Sequence, residues 1–274
     1  VRVTLYPLML RLIGLGLDDL NDISLKALQI VKNADKVYME CYTSIINSTV
    51  EQMEHLYQRT IVLADRHLLE NTDTLVDEGA QQDVVLLVPG TPLFATTHTD
   101  LLIRCTEKNV KYQVINNTSI YNVIGHIGLY SYSFGRVVSI PFFSDGFRPQ
   151  SVFDRILENI SNNLHTLCLL DIKIDKSYYD TNGSSTNRFM SANTAMHQLL
   201  EYERTVHSGV ITERTKIFVI CRFGCHDQSL YYDEIRNLLS TNFGKPLHSL
   251  IIPARMETIE EEHVNAFFNK GNLV

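Results

Sequence analysis

"VVLLVPGTPLFATTHTD", residues 84–100, opens with five apolar residues, breaks at Pro89, Gly90 and Pro92, and resumes with threonines, a histidine and an aspartate. An apolar run without alternation suits a strand covered on both faces, as in the middle of a parallel sheet. A helical pattern follows to about residue 109, with Thr96 or Thr97 as its cap. Strand, loop and helix in this order form the unit from which parallel α/β sheets are built.

Upstream, residues 10–15 read as a buried strand closing on the glycines of "LIGLGL". "DISLKALQIVKNAD" (22–35) then reads as an amphipathic helix capped by Asp22 or Ser24. "KVYME" (36–40) and "TIVLA" (60–64) give two more strands, the second followed by a helical pattern. Downstream, "KYQVI" (111–115) is a strand, "NNTSI" (116–120) a polar break, and 121–129 a helix. This alternation favours a mainly parallel sheet with right-handed crossovers.

The rest reads as a strand in "RVVSIPF" (136–142), a helix over 152–162, the strand "HTLCLLDIKI" (165–174) and a polar loop at 180–187. The helix "SANTAMHQLLEYERTV" (191–206), the strand "KIFVICRFG" (216–224), a helix over 230–239, the strand "PLHSLIIP" (246–253) and an acidic helix from Glu257 complete it. The polar break at 116–119 is the best domain boundary. It gives domains at 9–117 and 118–274, with residues 1–8 set aside as an extension before Met9.

A chain of 274 residues favours two α/β domains over one core. With 45% hydrophobic and 20% charged residues, it is neither disordered nor a solenoid. A formal charge of −7 with scattered Lys and Arg offers no basic stripe for a phosphate backbone, so nucleic acid is a poor partner. Five cysteines without CxxC spacing argue against a disulfide framework or a zinc ribbon and fit the cytoplasm. Pro7 and Arg11 interrupt the first apolar residues, so no signal peptide is expected. No run reaches membrane-spanning length.

"GLGL" after a strand suggests a dinucleotide fingerprint, but the third glycine is missing and the helix starts too late for its N-terminus to meet a pyrophosphate. A tight turn and a phosphate-free ligand both remain open. His98 with Asp100, and Cys225 with His226 and Asp227, lack a second half of recognisable zinc spacing, so no metal is assigned. Ser119 lacks the surroundings of a nucleophile elbow. Taken alone, His248 reads as a core histidine and Arg222 as half of a strand-end ion pair. What stands above these readings is repetition: strands end in polar or glycine-bearing loops at "GLGL", "PGTP", "NNTSI", "LLDIK", "CRFG" and "PLHS". In parallel α/β sheets ligands bind at strand C-termini.

Collinear stretches from Met9 to about Ile252 resemble the diphthine synthases, methyltransferases of the tetrapyrrole-methylase fold. They include "LIGLGL", "KVYMECYTS", "PGTPLFATTHTDL", "NNTSIYNVIG", "LHTLCLLDIK", "RFMS", "GCHDQ" and "PLHSLII". The resemblance implies two α/β domains with a cofactor cleft between them, a homodimer, and S-adenosyl-L-methionine as donor, S-adenosyl-L-homocysteine being the product. It also implies methylation of the 3-amino-3-carboxypropyl group on a histidine of translation elongation factor 2. The amine is trimethylated in archaea, and the carboxylate is methylated as well in eukaryotes, whose form this chain looks like. Carried over by position, the cofactor contacts are Leu17, Thr91, Phe94, Ser119, Ile120, Leu170, Phe223 and His248. No catalytic residue is carried over; Asp171 and Asp227 are candidate bases only because they lie at predicted strand ends.

The family pattern reads Gly-Asp-Pro with a small residue following, where this chain has Gly90-Thr91-Pro92 and Phe94. Loss of that carboxylate removes a charge-assisted hydrogen bond of about 1.5–3 kcal/mol, about ten- to a hundredfold in affinity. Three outcomes stay open: a shifted loop, substitution by the Thr91 hydroxyl, or weaker binding. The rival readings are a methyltransferase for a small molecule such as a tetrapyrrole, and a binding protein that keeps the fold without activity.

Overall fold

The computed structural model describes residues 8–144, 146–174 and 188–268. Most of the N-terminal extension and the polar stretch 180–187 lie outside these. The chain divides into two compact units. The first holds the described residues up to Tyr121 together with Lys173 and Ile174; the second holds Asn122–Ile172 and the described residues from Arg188 onward.

In the first unit, strands β1 (Met9–Gly14), β2 (Lys36–Glu40), β3 (Ile61–Ala64), β4 (Asp83–Val88) and β5 (Tyr112–Ile115) form one sheet in the order β3-β2-β4-β1-β5. Every pairing is parallel. The central strand β4 is buried along its whole length. Because successive side chains of a strand alternate faces, it feeds two cores. Val85 and Leu87 pack with Ile13, Val37 and Met39 under α1 (Leu25–Asn33) and α2 (Val50–Tyr57). Val84, Leu86 and Val88 pack on the other face with Leu10, Leu12 and Tyr38 under α3 (Arg66–Asn71), α4 (Thr74–Gly79) and α5 (Thr99–Glu107). Each such aliphatic side chain contributes about 1.5–3 kcal/mol on burial. Within this apolar sheet, Arg11 of β1 forms a buried ion pair with Asp83 of β4, and its Nε donates to Gln113 of β5 at 3.2 Å.

Ser24 caps α1, its hydroxyl accepting from the Ala27 N–H. The other candidate, Asp22, turns back to the glycine loop. Helix α5 starts later than the threonines suggested. The Thr96 hydroxyl donates to Pro92 O and the Thr97 hydroxyl to Glu70, so neither caps it.

The second unit has strands β6 (Val138–Ile140) and β7 (Thr166–Leu170), the two-residue strands β8 (Ile172–Lys173, its second residue counted with the first unit) and β9 (Arg188–Phe189), then β10 (Lys216–Cys221), β11 (Ser229–Glu234) and β12 (His248–Ile252). Its main sheet runs β11-β10-β12-β7-β6, and β8 pairs with β9 in a separate two-stranded sheet. In the main sheet only β6 and β7 pair in parallel; the rest are antiparallel. Helices α6 (Val123–His126), α7 (Ser151–Ser161), α8 (Ala192–Val206), α9 (Ile235–Leu238) and α10 (Thr258–Phe267) complete the unit.

Two helices expected from the sequence are cut short. Over 230–239 the chain instead forms edge strand β11, followed by the single turn of α9. Tyr232 stacks on Phe218 of β10 at 4.4 Å, and this cross-strand packing overrides the helical spacing. Over 121–129 only a 3-10 turn (Ile120–Asn122) and α6 form, with Gly128 at φ +78° ending the run.

Candidate functional site

The C-terminal edge of the first sheet is laced together by backbone. Gly16 N–H donates to Gly90 O at 3.1 Å, Gly90 N–H to Gly16 O at 2.6 Å, and Leu15 N–H to Val88 O at 2.8 Å. The strand breaks at Gly90 because its end must meet the loop after β1. A Cβ on Gly14 would stand 2.6 Å from Gly90 O, so only glycine fits there. Gly90, at φ +73°, is open instead: a Cβ there would meet nothing nearer than Thr118 O at 3.9 Å.

Side chains then fix the loops to one another. The buried Thr91 hydroxyl donates to Asn116 Oδ1 at 3.3 Å and accepts from Asn117 N–H at 3.2 Å. Asn117 Nδ2 donates to Gly14 O at 3.0 Å and Asp22 O at 2.9 Å. Asp22 Oδ2 accepts from Leu17 N–H at 3.0 Å and Asp18 N–H at 2.8 Å. Ser119 is buried, its hydroxyl accepting from Tyr121 N–H at 3.3 Å, and Ile120 follows in the 3-10 turn. Five of the eight carried-over positions, Leu17, Thr91, Phe94, Ser119 and Ile120, therefore belong to the linked loops after β1, β4 and β5. Asn117 was not singled out from the sequence; its signal is a pair of asparagines directly after a strand.

Beneath the loop after β4, His98 Nδ1 donates to Pro92 O at 3.0 Å. Its Nε2 lies 3.9 Å from Glu40 Oε2, and both residues are buried. Asp100 faces the other way and pairs with Arg104 Nε at 2.8 Å.

In the second unit the remaining positions share one sheet edge. Cys221 pairs with His248 and Leu169 with Ser249, so the ends of β7 and β10 and the start of β12 lie together. Leu170 closes β7 there. Phe223 lies just past β10, edge-on to His126 at 5.4 Å. His248 accepts from Ala192 N–H at Nδ1 (3.2 Å) and donates from Nε2 to Lys245 O (2.9 Å), a neutral tautomer fixed by both partners. Burial holds its pKa below the ordinary histidine value, and the nearby Arg222 charge adds to the effect.

Arg222 is the clamp of this edge. Its guanidinium donates to Phe243 O (3.0 Å), Lys245 O (2.7 Å) and Asp227 O (3.0 Å), and its Nε pairs with Asp227 Oδ2 at 2.8 Å. Asp171 Oδ2 accepts from Phe142 N–H at 3.0 Å. Both candidate carboxylates thus take part in local structure. The hydroxyls and the imidazole at the two edges are engaged within the protein.

The family of tetrapyrrole (corrin/porphyrin) methylases matches residues 9–239. A diphthine methyl ester synthase of Dictyostelium discoideum is 38% identical over 273 residues, spanning 97% of this chain and 100% of that protein. A diphthine synthase of Methanocaldococcus jannaschii is 40% identical over 256 residues, spanning 93% and 96%. A crystal structure of a diphthine synthase gives a TM-score of 0.82 at 32% identity, covering 95% of this chain and 96% of that one. Identity is nearly equal to the methyl ester synthase and to the diphthine synthase, so overall similarity does not separate the two reactions.

Proposed function

This chain belongs to the tetrapyrrole methylase family, in its diphthine synthase branch, and from that premise we propose the donor, the acceptor and the residues that serve them. The chain is a methyltransferase of diphthamide biosynthesis. Its donor is S-adenosyl-L-methionine. Its acceptor is the 3-amino-3-carboxypropyl group on a histidine of translation elongation factor 2, methylated on the amine and then on the carboxylate. The near full-length match to diphthine synthases carries this reading.

The residues present fit such a donor. Helix α1 begins only at Leu25, so among the described residues its N-terminus does not serve a phosphate at Gly14 and Gly16, while Gly90 leaves room at the loop edge. When bound, the donor supplies a methyl group already made electrophilic by a positive sulfur. The chain has to hold acceptor and methyl in line, and orientation of this kind is worth up to about 7–11 kcal/mol. We assign the donor's contacts to Leu17, Thr91, Phe94, Ser119, Ile120, Leu170, Phe223 and His248. Thr91, Asn117 and Asp22 keep the loops of the first unit in place, and Arg222 and His248 those of the second. Each amine methylation needs a neutral nitrogen, so a proton leaves each time to water or a nearby carboxylate; the carboxylate step releases none. No base is assigned, because Asp171 and Asp227 are held by Phe142 and Arg222.

The same reading has the chain act as a homodimer in the cytoplasm, where elongation factors work, without nucleic acid or membrane as partner. The buried free thiols Cys41, Cys105, Cys168 and Cys221 support a reducing compartment. Among the described residues, no helix is long and apolar enough to cross a membrane. Calorimetric titration with S-adenosyl-L-methionine and S-adenosyl-L-homocysteine tests the donor assignment. Micromolar binding near one per subunit is expected. No binding at millimolar concentration would favour a protein that keeps the fold without activity.

A further inference from the structure

Phe94 and Tyr121 ride on two of the loops that Thr91 ties together. Their rings lie tilted against each other, with centroids 4.3 Å apart and planes at 35°. Phe94 is nonetheless 50% exposed, with Leu93 beside it 39% exposed. The turn places it there: Ala95, at φ +53°, takes the left-handed conformation that costs a non-glycine residue about 1–2 kcal/mol. An aromatic ring held half in solvent at a strand-end binding edge, braced from behind by a second ring, presents a π-face. Such faces attract cations, and most effectively the weakly hydrated methylated ones.

We propose that Phe94, braced by Tyr121, is a binding face for a methylated onium cation. Two groups of the reaction share that chemistry: the sulfonium of the donor and the quaternary trimethylammonium of the methylated product. The inference rests on the functional reading above. To the donor contact already assigned to Phe94 it adds selection by charge and methylation, carried by a ring at a position where the family pattern has a small residue.

Two titrations test it, each on the intact chain, on Phe94→Leu, which keeps apolar bulk without a ring, and on Phe94→Tyr, which restores one. The first compares S-adenosyl-L-methionine with the neutral S-adenosyl-L-homocysteine by calorimetry. The second compares choline with its neutral isostere dimethylbutanol by nuclear magnetic resonance. If the face holds the sulfonium, Phe94→Leu lowers the preference for the charged donor about threefold to thirtyfold. If it holds the ammonium, the same loss appears in the choline series and the donor ratio stays unchanged. Phe94→Tyr restores either preference. Equal preferences in the intact chain and in Phe94→Leu in both series would overturn the proposal. Homocysteine-form binding by the intact chain reports separately whether the donor reading itself stands, and the choline series needs no donor.

Discussion

Asn117 is the side chain whose removal most directly separates the loops of the first unit. In Asn117→Ala three hydrogen bonds go: Nδ2 to Gly14 O (3.0 Å), Nδ2 to Asp22 O (2.9 Å), and Oδ1 from Thr118 N–H (2.8 Å). The last two lie at the surface, where water replaces the partner. The first is partly buried, and its loss carries most of the cost, at about 0.5–1.5 kcal/mol per net bond. We expect about 1–2 kcal/mol of stability lost, a fall in melting temperature of about 2–4 °C per kcal/mol. Because the end of β1 then loses its side-chain tie to the loop after β5, affinity for S-adenosyl-L-homocysteine should drop about tenfold, a loss of roughly 1.4 kcal/mol. Asn117→Asp gives a sharper comparison. It keeps the acceptor for Thr118 N–H but turns two donated bonds into a carboxylate facing two carbonyls, so it should be worse than alanine in both assays. Calorimetry and thermal melts on the three proteins give the ranking. Unchanged affinity in both variants, or aspartate outperforming alanine, would refute the idea that Asn117 holds this edge together.

Other outcomes follow from the same geometry. Thr91→Asp should retain or tighten donor binding, whereas Thr91→Val, which leaves the Asn117 N–H unpaired, should cost about 1–3 kcal/mol of stability; a clear loss of affinity in Thr91→Asp would count against the alignment of this loop. Gly14→Ala should abolish tight binding and destabilise by about 1–3 kcal/mol, since its Cβ falls 2.6 Å from Gly90 O; titration and melting check both. Asp83→Asn should cost about 3–5 kcal/mol by leaving Arg11 buried without its counter-charge, read from urea unfolding. His165 and His248 are both held below the ordinary histidine value, chiefly by burial. The unfolded chain therefore takes up protons first as pH falls below about 6.5. Their contribution is intact above that pH and fades below it, by up to about 1.4 kcal/mol per pH unit for each. Denaturant unfolding at pH 7.5 and 5.5 should show a smaller pH dependence in His248→Gln than in the parent chain.

The parallel sheet of the first unit was legible because a strand buried on both faces must be apolar throughout, as in residues 84–88. The positions of the loops were legible too, since prolines and glycines punctuate strand ends. Their partners were not. Asn117 meets Gly14, and Arg222 meets Phe243 and Lys245, across sequence separations that no local pattern encodes. Residues 230–239 read as a helix, and only the pairing with β10 makes their first half a strand. His98 and Asp100 are neighbours in sequence but diverge, one inward to Pro92 and Glu40, the other to Arg104. The hydroxyls of Thr96 and Thr97 looked free to cap a helix until Pro92 and Glu70 were placed beside them.

Methyl transfer to the modified histidine of elongation factor 2 is the activity proposed for this chain. The direct measurement is the mass of that factor, carrying the unmethylated 3-amino-3-carboxypropyl group, after incubation with this chain and S-adenosyl-L-methionine, with the site located by fragmentation. Methyl groups are expected on the amine and one more on the carboxylate, all on that histidine. An unchanged mass, in a preparation that methylates a tetrapyrrole precursor instead, would contradict the proposed activity.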